Sequence, residues 1–162
     1  MNTLFPQMPL PVNLAYEFMG MFTRCEYALK CSDFARGGTH SVEADWDTFS
    51  KTIDWHFRQI KDDQLKAATN LLLNEPPRKQ VLRDGCVTWK DSPPDSNLPK
   101  AEQVLLIVRR IRHNLFHGAK VWSPEYGNRE RDVLLVSAAL IVLKHCILLN
   151  TNVHLAYEIG VF

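Results

Sequence analysis

The chain has 162 residues, of which 46% are hydrophobic, 23% charged and 10% aromatic, the size and composition of one ordinary globular domain spanning 1–162. Its 19 Lys and Arg against 18 Asp and Glu leave a net charge of +1, which excludes a disordered polyelectrolyte and a protein that holds nucleic acid by bulk charge. Any contact with RNA or DNA must come from a local patch.

The longest nearly apolar run, Val133 to Leu143, is about half the roughly twenty residues of a membrane span, so no membrane association is expected. Met1 to Pro11 carries three prolines and no basic residue, unlike a secretory signal, and a cytoplasmic protein is expected. Cys25, Cys31, Cys86 and Cys146 form no C-x-x-C pair. Cys25 and Cys31 have five residues between them and face different sides of a helix, so reduced thiols and no metal site are expected.

In chain order, Leu14, Phe18, Met21, Cys25 and Leu29 form one amphipathic stripe, with Asn13 able to cap it and Gly37-Gly38 to end it. Val42, Trp46, Phe49, Ile53, Phe57 and Ile60 form a second stripe behind Ser41 as its cap; its aromatic residues are read as core rather than as a base-stacking platform. Leu65, Ala68 and Leu72 mark a third helix over Asp62 to Leu73, stopped at Glu75-Pro76-Pro77 because proline bars the preceding residue from helical angles.

Five of nine prolines lie between Pro76 and Pro99, an excursion in which Gln80 to Lys90 can form a hairpin about Asp84-Gly85. A helix opening near Ser96 or Asn97 carries Val104, Val108, Ile111 and Leu115 before Gly118. A last helix, Asn128 to Leu149, is apolar nearly all round and should be the most buried element. His145 within it is read as a core histidine with a partner. These elements predict an all-α bundle of four or five helices with one irregular, proline-rich insertion.

Between Gln103 and Pro124 stand Arg109, Arg110, Arg112 and Lys120 with no acidic residue, and two histidines, His113 and His117, sit among them. A chain of +1 with a segment of +4 leaves −3 for the rest, so the positive charge is concentrated at the C-terminal end of one helix, where the macrodipole tolerates cations. Arg112-His113-Asn114-Leu115-Phe116-His117-Gly118 gathers groups that bind or titrate at the exit of an apolar helix.

This segment resembles the HEPN superfamily, α-helical domains that include metal-independent ribonucleases of toxin and antiphage systems. The family pattern is an arginine, four to six residues, then a histidine, with a polar residue usually just after the arginine. Arg112, His113 and His117 fit it at the four-residue spacing. Glu26-Tyr27-Ala28-Leu29-Lys30, Ala44-Asp45-Trp46-Asp47 and Pro76-Pro77-Arg78-Lys79-Gln80 extend the likeness upstream. A second register, Arg110 to His117, is also within the spacing. Arg110, His113 and His117 share one helical face, whereas Arg112 sits roughly 140° from His117 on a continuous helix. The polar residue after Arg112 favours Arg112, with Arg110 supporting, and the angular objection weakens if the helix unwinds near Asn114 or if two copies meet across a dimer.

The resemblance implies an endoribonuclease without cofactor or metal. His117 transfers protons, Arg112 stabilises charge on the scissile phosphate, and His113 orients RNA or shares the proton work. Arg109, Arg110, Asn114 and Lys120 support RNA binding, while Glu26 and Lys30 flank the site. Histidine suits proton transfer because its unperturbed pKa near 6.5 leaves both forms accessible at neutrality. The likeness further implies a homodimer with motifs facing across the interface, and a separately encoded antitoxin or defence partner. The tyrosine modified in some family toxins is replaced by Ala119, so that regulatory route is not expected. The alternative is a catalytically inactive HEPN-like dimeric module that binds RNA, a nucleotide or a protein partner.

Overall fold

A computed structural model describes residues 10–116 and 128–160. The first helix, α1 (Val12–Lys30), follows Pro11 and buries Ala15, Phe18, Phe22, Cys25, Ala28 and Leu29. Its buried face is centred one residue beyond the expected stripe, so Phe22 rather than Met21 points into the core. The helix also stops well short of Gly37-Gly38. The chain turns after Cys31 to bury Phe34, whose ring packs edge-on to Phe49 at 5.2 Å.

The expected helix start at Ser41 is replaced by a hairpin of β1 (Ala35–Gly38) and β2 (Ser41–Ala44), antiparallel with Gly37 opposite Val42. Val42, assigned by spacing to a buried stripe, is 57% exposed. Two local facts favour the hairpin. A Cβ at Gly37, where φ is +139°, would collide with the Ser41 carbonyl oxygen, so glycine permits a closure that other residues do not. Asp45, not Ser41, caps α2 (Trp46–Gln59): its carboxylate accepts from the Thr48 N–H at 3.0 Å and the Thr48 hydroxyl at 2.8 Å. The Asp45 N–H also donates to the Phe34 carbonyl at 2.8 Å, closing the hairpin base. From Trp46 onward the stripe holds, with Trp46, Phe49, Ile53 and Phe57 all buried.

Asp62 caps α3 (Asp63–Asn74) through the Leu65 N–H at 2.7 Å, and Leu65, Ala68 and Leu72 are buried. The helix ends at the diproline. The excursion that follows contains a two-stranded sheet, β3 (Lys79–Arg83) and β4 (Cys86–Lys90). Asp84 and Gly85 form the two-residue turn with φ of +51° and +76°, the backbone that a type I′ connection requires. Beyond it lie α4 (Lys100–Phe116), α5 (Arg129–Leu148) and α6 (Thr151–Ile159).

The molecule is therefore mostly helical but not all-α: the described residues hold six helices and two small antiparallel sheets. The sixth helix has no counterpart in the sequence expectation. Asn150 starts it by accepting from the Val153 N–H at 3.1 Å, after a bend of 112° from α5. The long helix α5 touches α1 to α4 and α6, consistent with its nearly all-round apolar surface. His145 on it meets the Ile141 carbonyl at 2.8 Å and lies 3.9 Å from Asp62, so it has the partner expected of it but is half-buried rather than in the core. No single helix among the described residues is long and apolar enough to cross a membrane.

Candidate functional site

Helix α4 buries Ala101, Val104, Leu105, Val108, Ile111 and Leu115, which rotates Leu106, Arg109, Arg110 and His113 away from the core. Phe116, its last described residue, stacks on Phe18 of α1 with ring centroids 6.3 Å apart. The helix thus continues through Asn114 to Phe116; the path from there to His117 lies outside the described residues.

The outer face of the C-terminal half of α4 forms the floor of a cleft of about 570 Å³. Phe22, Glu26 and Asp47 from α1 and α2 make one wall, and Lys79 and Gln80 of β3 make the other. Arg109, Arg110, Arg112, His113 and Asn114 all line it. Five of the site residues expected from sequence are thereby brought together, along with Glu26. Lys30 is not among the cleft's lining residues. His117 and Lys120 lie outside the described residues, as do Gly118 and Ala119 of the same segment.

The three arginines have different surroundings. Arg109 pairs with Asp47 at 2.9 Å, both side chains partly exposed. Arg110 donates to the Pro77 carbonyl at 3.2 Å and to the Ser92 carbonyl, so it fastens both ends of the proline-rich excursion to α4. Burial lowers its pKa because the charged form is desolvated, though a guanidinium stays protonated at neutrality. Arg112 lies half-buried with its guanidinium carbon 5.7 Å from the centre of the Phe22 ring, a cation–π contact.

His113 is exposed on the cleft floor. Asn114 is only 2% exposed; its amide donates to the Arg78 carbonyl at 2.8 Å, joining α4 to the start of β3. Glu26 accepts from the Trp46 indole at 3.4 Å, which holds its carboxylate on the cleft wall.

Apart from Glu26, the walls were not assigned from sequence. Phe22, Asp47, Lys79 and Gln80 come from three distant elements, and no local spacing links them to α4. The only prior signal was the resemblance of the short segments containing Asp47, Lys79 and Gln80. Among the described residues, no group of three or more His, Cys, Asp or Glu side chains is placed to hold a metal.

Chemically, the cleft offers guanidinium donors for a phosphate, an imidazole for proton transfer and two carboxylates on one wall. Its volume falls in the range of small-ligand sites and suits one or two nucleotides rather than a duplex. No family model matches the chain, and no curated protein or solved structure matches it.

Proposed function

We propose that the protein is a metal-independent endoribonuclease of the HEPN type, an effector of a toxin–antitoxin or antiphage system. The observation that carries this reading is the convergence of Arg109, Arg110, Arg112, His113 and Asn114 on the floor of one cleft. In this reaction a base removes the proton of the ribose 2′-hydroxyl and the 2′-oxygen attacks the adjacent phosphorus. The 5′-oxygen leaves with a proton from the acid, giving a 2′,3′-cyclic phosphate and a 5′-hydroxyl. Arg112 stabilises the added negative charge on the phosphoryl oxygens, and His117 and His113 handle the protons. Arg112 and His117 act together when two copies of the chain present their motifs to one another.

The test is incubation of the purified protein with total RNA in excess EDTA. Cleavage that leaves cyclic phosphate ends and falls roughly 10²- to 10⁴-fold in His117→Ala supports the enzyme. A second reading, a binding module without cleavage, is favoured by one observation: Arg109 and Arg110 are already engaged by Asp47 and by two backbone carbonyls. A wild-type protein that binds RNA and leaves it intact overturns the enzyme and supports the module.

A further inference from the structure

The β3–β4 hairpin forms one wall of the cleft and then projects beyond it. In its register Lys79 stands directly opposite Lys90, Val81 opposite Thr88 and Arg83 opposite Cys86. Side chains alternate along a strand, so Lys79, Val81, Arg83, Cys86, Thr88 and Lys90 share one face. That face carries three cations and no carboxylate, over roughly 14 Å of strand. All three are exposed, and none has an ion-pair partner among the described residues. The neighbouring Arg78, by contrast, is paired with Asp91 at 3.0 Å.

A like-charge pair directly opposite in an antiparallel ribbon is destabilising. Two-stranded ribbons are marginal to begin with, and this one also exposes Leu82 and Val87, at 73% and 68%. Lys79 opposite Lys90, next to an arginine-lined cleft, concentrates positive charge that an anion would offset. Lys79 itself lines the cleft, so the two cationic surfaces are continuous.

We infer that this face of the hairpin is a track for the phosphates of single-stranded RNA, leading from the cleft past Lys79 and Lys90 towards Arg83. The assignment rests on the reading of the cleft as an RNA site, and it names the surface that holds the nucleotides outside it. The cleft volume is too small for a duplex, and three cations in line match the charge of an extended single strand rather than of a compact nucleotide.

The experiment uses a fluorescein-labelled single-stranded RNA made entirely of 2′-O-methyl nucleotides. It lacks the attacking hydroxyl, so binding is read by anisotropy whether or not the protein cleaves RNA. Each lysine–phosphate contact contributes about −0.7 to the slope of log K against log salt. Lys79→Ala/Lys90→Ala is expected to flatten that slope by about 1.4 and to weaken binding roughly 25-fold at 0.1 M salt. Lys61→Ala/Lys66→Ala removes the same charge from the exposed start of α3 and keeps the wild-type slope. Lys79→Arg/Lys90→Arg, with both charges retained, restores binding. A wild-type protein that does not bind, or a Lys79→Ala/Lys90→Ala variant with an unchanged slope, overturns the track. A protein that binds as expected but cleaves no RNA removes the enzyme assignment and leaves the track standing.

Discussion

Arg110 and Arg112 are two residues apart on one helix, and the structure gives them different work. Arg110 donates to the Pro77 and Ser92 carbonyls, at the two ends of the excursion that carries the hairpin. A hydrogen bond from a charged donor contributes about 1.5–3 kcal/mol net. Both carbonyls are only partly buried, and water replaces some of the loss when the side chain is removed. Arg110→Ala is therefore expected to cost about 2–3 kcal/mol, which for a domain of this size lowers Tm by about 4–12 °C. Arg110→Lys keeps the charge but not the forked donor, and recovers part of the loss.

Arg112 interacts with the Phe22 ring, a contact that contributes about 0.5–1 kcal/mol at a partly exposed site. Its proposed role is on the transition-state phosphate, where losing one positioned donor costs about 10²–10³-fold in rate. The assay pairs urea unfolding with RNA cleavage in EDTA, measured well below each variant's unfolding transition. Arg112→Ala should lose about 10²- to 10³-fold in activity under conditions where it remains folded. Arg110→Ala should lose stability while keeping activity within about tenfold. The reverse pattern, a stable and inactive Arg110→Ala beside an active Arg112→Ala, refutes the assignment and moves the motif arginine to position 110.

Asp47→Ala frees Arg109 from its 2.9 Å pair and removes a negative charge from the cleft, so RNA affinity should rise roughly 3- to 5-fold at 0.1 M salt by the same anisotropy measurement. Its stability should change by less than about 1 kcal/mol because both partners are partly exposed. Burial raises the Cys25 thiol from 9.0 to about 12 and raises the buried Cys146 as well. The folded state thus holds these protons while the unfolded chain releases them, and stability is full below pH 9 and declines as pH rises beyond it. Urea midpoints from pH 8 to 10.5 should show the decline, which flattens in Cys25→Ala; exposed Cys86 should react with a thiol reagent in the native protein, and Cys25 and Cys146 only on unfolding.

Elements whose signals are local were legible before the structure. The helix α3 has an Asp cap, three apolar residues on one face and a diproline stop, and it forms where that pattern puts it. The β3–β4 hairpin is fixed by Asp84-Gly85, a dipeptide suited to positive φ. Where two local signals compete, spacing alone misleads. Val42 continues the stripe of α2 at a distance of four residues, yet Asp45 rather than Ser41 caps the helix and the glycines before Ser41 favour a turn. The nine-residue α6 escaped notice because two buried side chains, Val153 and Ala156, make too short a stripe to stand out. The floor of the candidate site was visible because its residues are contiguous. Its walls were not, because Phe22, Asp47 and Lys79 meet α4 only through the packing of the whole bundle.

The same helix segment that supplies the candidate chemistry also assembles the cleft. Arg109 draws in α2 through Asp47, Arg110 holds the excursion through two carbonyls, Arg112 covers Phe22 of α1, and Asn114 fastens Arg78 at the foot of β3. Successive residues on a helix are separated by about 100°, so consecutive side chains from 109 to 114 reach different neighbours around one axis. A cluster of arginines there serves two purposes at once. Their total charge sets the potential of the cleft, while their separate partners set its shape. Removing any one of them by alanine mixes the two effects. A change at Lys79 and Lys90 alters the potential while leaving the arginine contacts to Asp47, Pro77, Ser92 and Phe22 in place. Those hairpin positions are therefore where electrostatic binding and architecture can be separated by experiment.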